Sequence, residues 1–191
     1  MGSRTPGSAR RAARIVLGVD PGTLVTGFGV VSCTGDALQL LDAGTIRNPG
    51  TQSMPIRLKH IYEGLQALID HHHPDEFAIE SAFYGKNAQS ALKLGQARGV
   101  SILAAVEKEI PTAEYAPREV KQAVVGKGTA TKEQVQFMVR SLLHLEKNAM
   151  PLDTSDAIAV AICHLHRRVA SPARHQDWSS FVAAHPERIR P

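Results

Sequence analysis

Cysteine is nearly missing from this 191-residue chain: Cys33 and Cys163 are the only two. One pair gives no disulfide framework and fits a reducing compartment. No apolar run approaches the roughly 20 residues a membrane-spanning helix requires. The basic N-terminus leads into Asp20 rather than into a signal-peptide core, and Pro6 stands where a myristoylation signal needs Ser or Thr. A soluble, cytoplasmic protein is expected. Neither a repeat nor a sustained heptad is present, which excludes solenoids, coiled coils and fibres. Acid is missing from residues 1–14, which carry Arg4, Arg10, Arg11 and Arg14. Residues 169–191 add one net positive charge, so the formal +4 of the chain leaves residues 15–168 at −1. The basic balance therefore belongs to the ends, and net charge alone does not make the centre a DNA-binding domain.

The organisation follows from the same inventory. Residues 1–14 form a disordered basic extension, 15–169 a single domain, and 170–191 a flexible tail. Within the domain, "IVLGVD" and "GFGVVSC" are strands joined at Pro21-Gly22, and "ALQLLDAGTIR" is a third, giving an antiparallel meander. Ile56, Ile61, Leu65, Leu68 and Ile69 recur at helical spacing in residues 54–72. "EFAIES" fits a central strand, residues 87–109 a second helix, and "TAEYAP" a fifth strand. "PREVKQAVV" is a short helix, and "TKEQVQFMVRSLLHL" is a further one with a capping box at Thr131 and Gln134. A last helix runs from about Thr154 to Val169. Three antiparallel strands followed by helix-connected ones make a layered α/β or α+β fold with a mixed sheet.

Four acids stand where strands end or a helix begins: Asp20, Glu80, Asp153 and Asp156. The last two share one face of the first helical turn. Singly, each has an ordinary role: Asp20 as a turn former, Asp153 as an N-cap, Glu80 as a partner for lysine. Together they would repel, by roughly 4 kcal/mol for a pair about 4 Å apart at an effective dielectric near 20. Divalent cations relieve that repulsion, and an all-oxygen donor set suits Mg²⁺ or Mn²⁺ rather than Zn²⁺. Two such ions support in-line displacement at phosphorus, the chemistry of phosphodiester hydrolysis.

"GVDPGTLVTGFGVV", "FAIESAFYGKNAQSALKLGQARGV", "EYAPREVKQAVVGKGTATKEQV" and "DTSDAIAVAICH" resemble, in order and separation, the RuvC family of Holliday junction resolvases. The resemblance covers about residues 14–168. It implies a ribonuclease H-like fold, with a mixed five-stranded sheet flanked by helices, and a homodimer. It also implies Mg²⁺-dependent paired nicking of two like-polarity strands at a four-way DNA junction in recombination and repair, with two ions per site and Mn²⁺ as a substitute. The nicks would carry 3′-hydroxyl and 5′-phosphate ends, and RuvA and RuvB branch-migration proteins are the implied partners. By the same resemblance Asp20, Glu80, Asp153 and Asp156 are the catalytic acids and metal ligands.

Phe83 matches the family's base-stacking phenylalanine, next to Tyr84, which has no assigned role. Lys121 and Lys132 match family lysines implicated in DNA contact, and Arg118 and Lys127 extend the same basic patch. Ala91, Gly95 and Gly99 put small residues at every fourth position of the second helix. Glycines there require close approach of another backbone, either the sheet or a second subunit. "QSALKLGQARG" resembles the family's dimer helix, which favours the subunit for Gly95 and Gly99.

The histidines "HHH" at 71–73 suit a helix C-terminus, and Cys163 with His166 lacks further ligands for zinc. His164 could lie near the acids without assigned work. Three rivals remain. An actin-like nucleotide-binding protein shares the opening Asp-x-Gly but needs a second lobe. A ribonuclease H-like enzyme of ribosomal RNA precursors lacks the dimer-helix and lysine motifs. A non-catalytic junction-binding module would have lost one of the four acids.

Overall fold

The computed structural model describes residues 13–81, 88–146 and 152–170, without the side chains of 152, 153 and 168–170. Three strands open the chain: β1 (Arg14–Asp20), β2 (Val25–Thr34) and β3 (Ala37–Arg47). Then come α1 (Met54–His72), β4 (Glu76–Glu80), α2 (Ala88–Val106) and β5 (Thr112–Tyr115). Three helices close it: α3 (Pro117–Val125), α4 (Lys132–Leu142) and α5 (Leu152–Ala170). The sheet order is β3-β2-β1-β4-β5, with the first three strands antiparallel and β1, β4 and β5 mutually parallel. This is the mixed five-stranded sheet the sequence predicts. No helix among the described residues is long and apolar enough to cross a membrane.

Strand alternation divides the core in two. Leu17, Val19, Val30, Phe77 and Ile79 face α1 and α2, whereas Val16, Val31 and Ala78 face α3, α4 and α5. With a period of two, Asp20 follows Val16 and Gly18 onto the α5 face, and Glu76 and Glu80 flank Ala78 on that face of β4. Since Val19 pairs with Ile79, Asp20 and Glu80 leave the sheet side by side. The buried row Ala157–Cys163 of α5 lies across them.

Some boundaries differ from expectation. Arg14, assigned to the basic extension, instead opens β1: its main chain is in register with Cys33, and its guanidinium bonds Glu76 at 2.9 Å. α2 stops at Val106 because Glu109 turns left-handed, with φ 57°, and the Ile110 amide bonds the Ala105 carbonyl at 3.1 Å. That closure is a Schellman-type end, which lays Ile110 on the core. α5 begins at Leu152, so Asp153 lies inside its first turn.

Candidate active site

The turn after Asp20 is held from two sides. Pro21 ends pairing, and Gly22 is obligatory in its place, because a Cβ there would lie 2.2 Å from the Val25 carbonyl oxygen. Buried Thr26 donates its hydroxyl to the Gly22 carbonyl at 2.7 Å. From the other side, buried Asn48 donates its main-chain amide to the Leu24 carbonyl at 2.8 Å. Its side-chain nitrogen donates to the carbonyls of Thr23 at 3.1 Å and Arg57 at 3.3 Å. Its side-chain oxygen meets His60 Nδ1 at 2.7 Å. Asn48 thus ties the turn to α1, a role invisible in the sequence, where an Asn before Pro-Gly reads as an ordinary loop residue.

The lysines are set by helix starts. Thr131 accepts the Gln134 amide and Gln134 accepts the Thr131 amide, at 3.3 and 2.9 Å, forming the expected capping box. Lys132 is therefore the first helical residue of α4, and its Nζ reaches Asp156 at 2.9 Å. Pro117 starts α3 with a fixed φ, and Glu119 caps the Ala116 amide at 2.9 Å. Lys121 follows on the first turns of that helix.

Asp20, Glu80, Asp156, Lys121 and Lys132 line one cleft of about 240 Å³, floored by Pro117, Val120, Val135 and Ala159. Burial, then the charges of Asp20 and Asp156, push the Glu80 carboxyl up to about 7, against the opposing pull of Lys132 and Lys121. The Lys132 ammonium is pushed up by its hydrogen bond and ion pair with Asp156, with further help from Asp20 and Glu80. Three carboxylates therefore feel one another across the cleft, and a cation already sits on one of them.

Among the described residues, no three His, Cys, Asp or Glu side chains stand close enough to form a ready metal site. The donor chemistry nevertheless fits a hard divalent cation: all-oxygen ligands, mutual repulsion, and an acid pushed up by burial and then by its anionic neighbours. The backbone of Asp153 is in the first turn of α5, three residues before Asp156, while its side chain lies outside the described residues.

Other predicted residues fall elsewhere. Phe83 and Tyr84 lie outside the described residues. Arg118 and Lys127 are exposed and do not line the cleft; the Arg118 stem packs over Gly128, where a Cβ would come within 2.6 Å of it. Gly95 and Gly99 are exposed, and a Cβ at either would meet nothing within 4 Å, so the chain's own sheet is not the neighbour they accommodate. His164 is not at the acids. It lies two turns further along α5, between Glu76 and Tyr115, because its helical face turns toward the opposite end of β4. His71 and His72 close α1 and His73 is its left-handed cap, as a helix C-terminus suits.

Residues 16–164 match the family model described as "Crossover junction endodeoxyribonuclease RuvC". A protein of that description from Salinibacter ruber is 46% identical over 92% of this chain and 98% of its own. Another, from Pelobacter propionicus, is 50% identical over 87% of this chain and 98% of its own. Among solved structures, "T. thermophilus RuvC in complex with Holliday junction substrate" superposes with a TM-score of 0.77 at 31% identity. That match covers 81% of this chain and 94% of the other. The sheet order, the helices on its two faces and the acids at paired strand ends are thus those of a ribonuclease H-like fold, and the chain belongs to the crossover junction endodeoxyribonuclease RuvC family.

Proposed function

We propose that this chain resolves four-way DNA junctions in recombination and repair by paired, metal-dependent nicking of two like-polarity strands. The observation that carries the reading is the cleft in which the Asp20, Glu80 and Asp156 carboxylates meet Lys121 and Lys132. The T. thermophilus relative is described in complex with Holliday junction substrate, which supports the same substrate here. The working unit is a nuclease domain of about residues 14–170, acting as a cytoplasmic homodimer. RuvA and RuvB are its proposed partners.

Asp20, Glu80, Asp153 and Asp156 would hold two Mg²⁺ ions, or Mn²⁺ in their place. When bound, such ions activate a water and stabilise the leaving oxygen, giving 3′-hydroxyl and 5′-phosphate ends. The protein contributes rigidity first: β1 and the clamped turn fix Asp20, and β4 fixes Glu80 beside it. Lys132 is 75% exposed and Asp156 22%, so the lysine is free to exchange its carboxylate for a backbone phosphate. Lys121 approaches from α3 on the other side of the cleft. Contacts of this kind fix the strand without reading its sequence and weaken with salt. Arg118 and Lys127 extend that binding surface, and Phe83 stacks on an unpaired base.

The test incubates labelled junction, duplex and single strands with the protein, with and without Mg²⁺. Symmetric nicks confined to the junction are expected. Asp20→Asn should keep junction binding while nicking drops below about 1% of wild type, as loss of a metal-holding carboxylate demands. Nicking by that variant at the wild-type rate would overturn the assignment.

A further inference from the structure

α5 must present Asp156 to the sheet at one axial position. Its apolar packing chooses that position by shape, without directional bonds. From Ala157 to Cys163 every side chain is apolar or a thiol and fully buried. Beneath them, Gly18 and Gly29 expose bare backbone: a Cβ on Gly18 would lie 2.3 Å from the Ala157 carbonyl oxygen, and one on Gly29 2.5 Å from Ile158 Cγ1. This close seating sets the height of the helix. Apolar burial is non-directional, so a slip of one residue, about 1.5 Å, is resisted only by shape, through the misfit of Ile158 or Ile162 where Ala157 and Ala161 lie against Gly18.

Directional contact is supplied at the far end. His164, buried within the core, bonds Glu76 Oε2 through Nε2 and the Tyr115 hydroxyl through Nδ1, the latter at 2.7 Å. Arg14 bonds the same Glu76 oxygen at 2.9 Å. One residue of α5 is thus pinned to both β4 and β5. Eight residues of helix separate Asp156 from His164, about 12 Å. Four residues of strand separate Glu80 from Glu76 on the same face of β4, about 13 Å. The spans match, so fixing His164 on Glu76 brings Asp156 opposite Glu80. Elsewhere on the helix, Asp156 pairs with Lys132 at 2.9 Å, Arg167 with Glu119 at 2.8 Å, and His166 Nδ1 meets the Ala123 carbonyl at 3.3 Å. These reach α4 and α3 rather than the sheet, and each ion pair is weakened by its exposed cation.

We propose that the Glu76–His164–Tyr115 network is a positioning device: it fixes the axial register of α5 and thereby places Asp156 against Asp20 and Glu80. Stability alone does not account for it, since apolar replacement of a buried ionic pair is often neutral or stabilising. The inference rests on the nuclease reading above.

The test compares wild type, Asp156→Asn, His164→Gln, His164→Phe and the double variant Glu76→Leu/His164→Phe. Thermal unfolding, junction affinity, single-turnover nicking at saturating Mg²⁺, and Mn²⁺ binding without DNA, read by the resonance of the free ion, are measured for each. The double variant should keep its thermal midpoint and junction affinity, while nicking falls about 10–100-fold, as a misplacement near 1 Å entails. Mn²⁺ binding should weaken in parallel. His164→Gln, which retains a hydrogen bond to Glu76, should recover most of both. A folded His164→Phe or double variant with wild-type nicking and Mn²⁺ affinity overturns the proposal. So does failure of both to fold, which would make the network a requirement of folding. Absence of Mg²⁺-dependent nicking in wild type fails the nuclease reading instead, and the Mn²⁺ titration still decides the register.

Discussion

Glu76 is a carboxylate buried far from the cleft, and its titration is readable. Burial pushes its carboxyl up, but the His164 hydrogen bond and charge, together with Arg14, outweigh that and hold it below the ordinary 4.5. A depressed folded value means the unfolded state takes up the proton first. The stabilisation is therefore complete above about pH 4.5 and is lost as pH falls through the folded value. Urea unfolding of wild type and Glu76→Gln from pH 7 down to pH 3 checks this: the wild type's stability relative to the variant should decline only below about pH 4.5, the unfolded value for a glutamate. A difference that is flat across the range would show that the ionised form is not selectively held.

The acids and lysines were legible because each sits in a short motif whose local geometry is stereotyped: a strand-ending Asp before Pro-Gly, a strand-ending Glu, a capped helix start. Glu76 and His164 were not, since 88 residues separate them and neither has a local signal. Asn48 was hidden likewise, its partners lying 25 and 9 residues away.

Among elements, the glycines of this chain divide by what their missing side chains permit. On β1, a Cβ at Gly18 would strike the Ala157 oxygen at 2.3 Å and the Ala161 nitrogen at 2.7 Å, both backbone atoms that no rotamer change can move. Gly18→Ala must lift α5 off the sheet, and overpacking of this kind costs about 1–3 kcal/mol. Denaturant unfolding should show a loss toward the upper end of that range, with slower nicking, because the acids of α5 move with the helix. Unchanged stability would mean that the helix seats less closely than described. Strand and helix order were legible from periodicity, since periods of 2 and 3.6 are local properties. The close seating was not. "VLGVD" shows a glycine in a strand, and only the approaching helix explains why nothing larger stands there.

At the scale of the whole molecule, α2 has an outer face that the described residues of the protomer leave uncovered. Leu92 is 71% exposed, Leu103 55% and Val106 53%, and Gly95 and Gly99 lie among them with open space around both. Spacings of three and four residues put these positions on one stripe, running about 21 Å along the helix. An apolar stripe with glycines at its centre suits close approach of a second copy, and two-fold symmetry would then present two clefts to two like strands of a junction. Leu103→Glu places a charge in that stripe without touching the protomer's buried core. Sedimentation should therefore show a folded monomer for this variant and the proposed dimer for wild type. The monomer should retain the cleft and nick single strands, while paired nicks across a junction fall to the level of independent events. A dimer that survives the charge, or a monomer that still cuts in symmetric pairs, would remove α2 from the proposed interface.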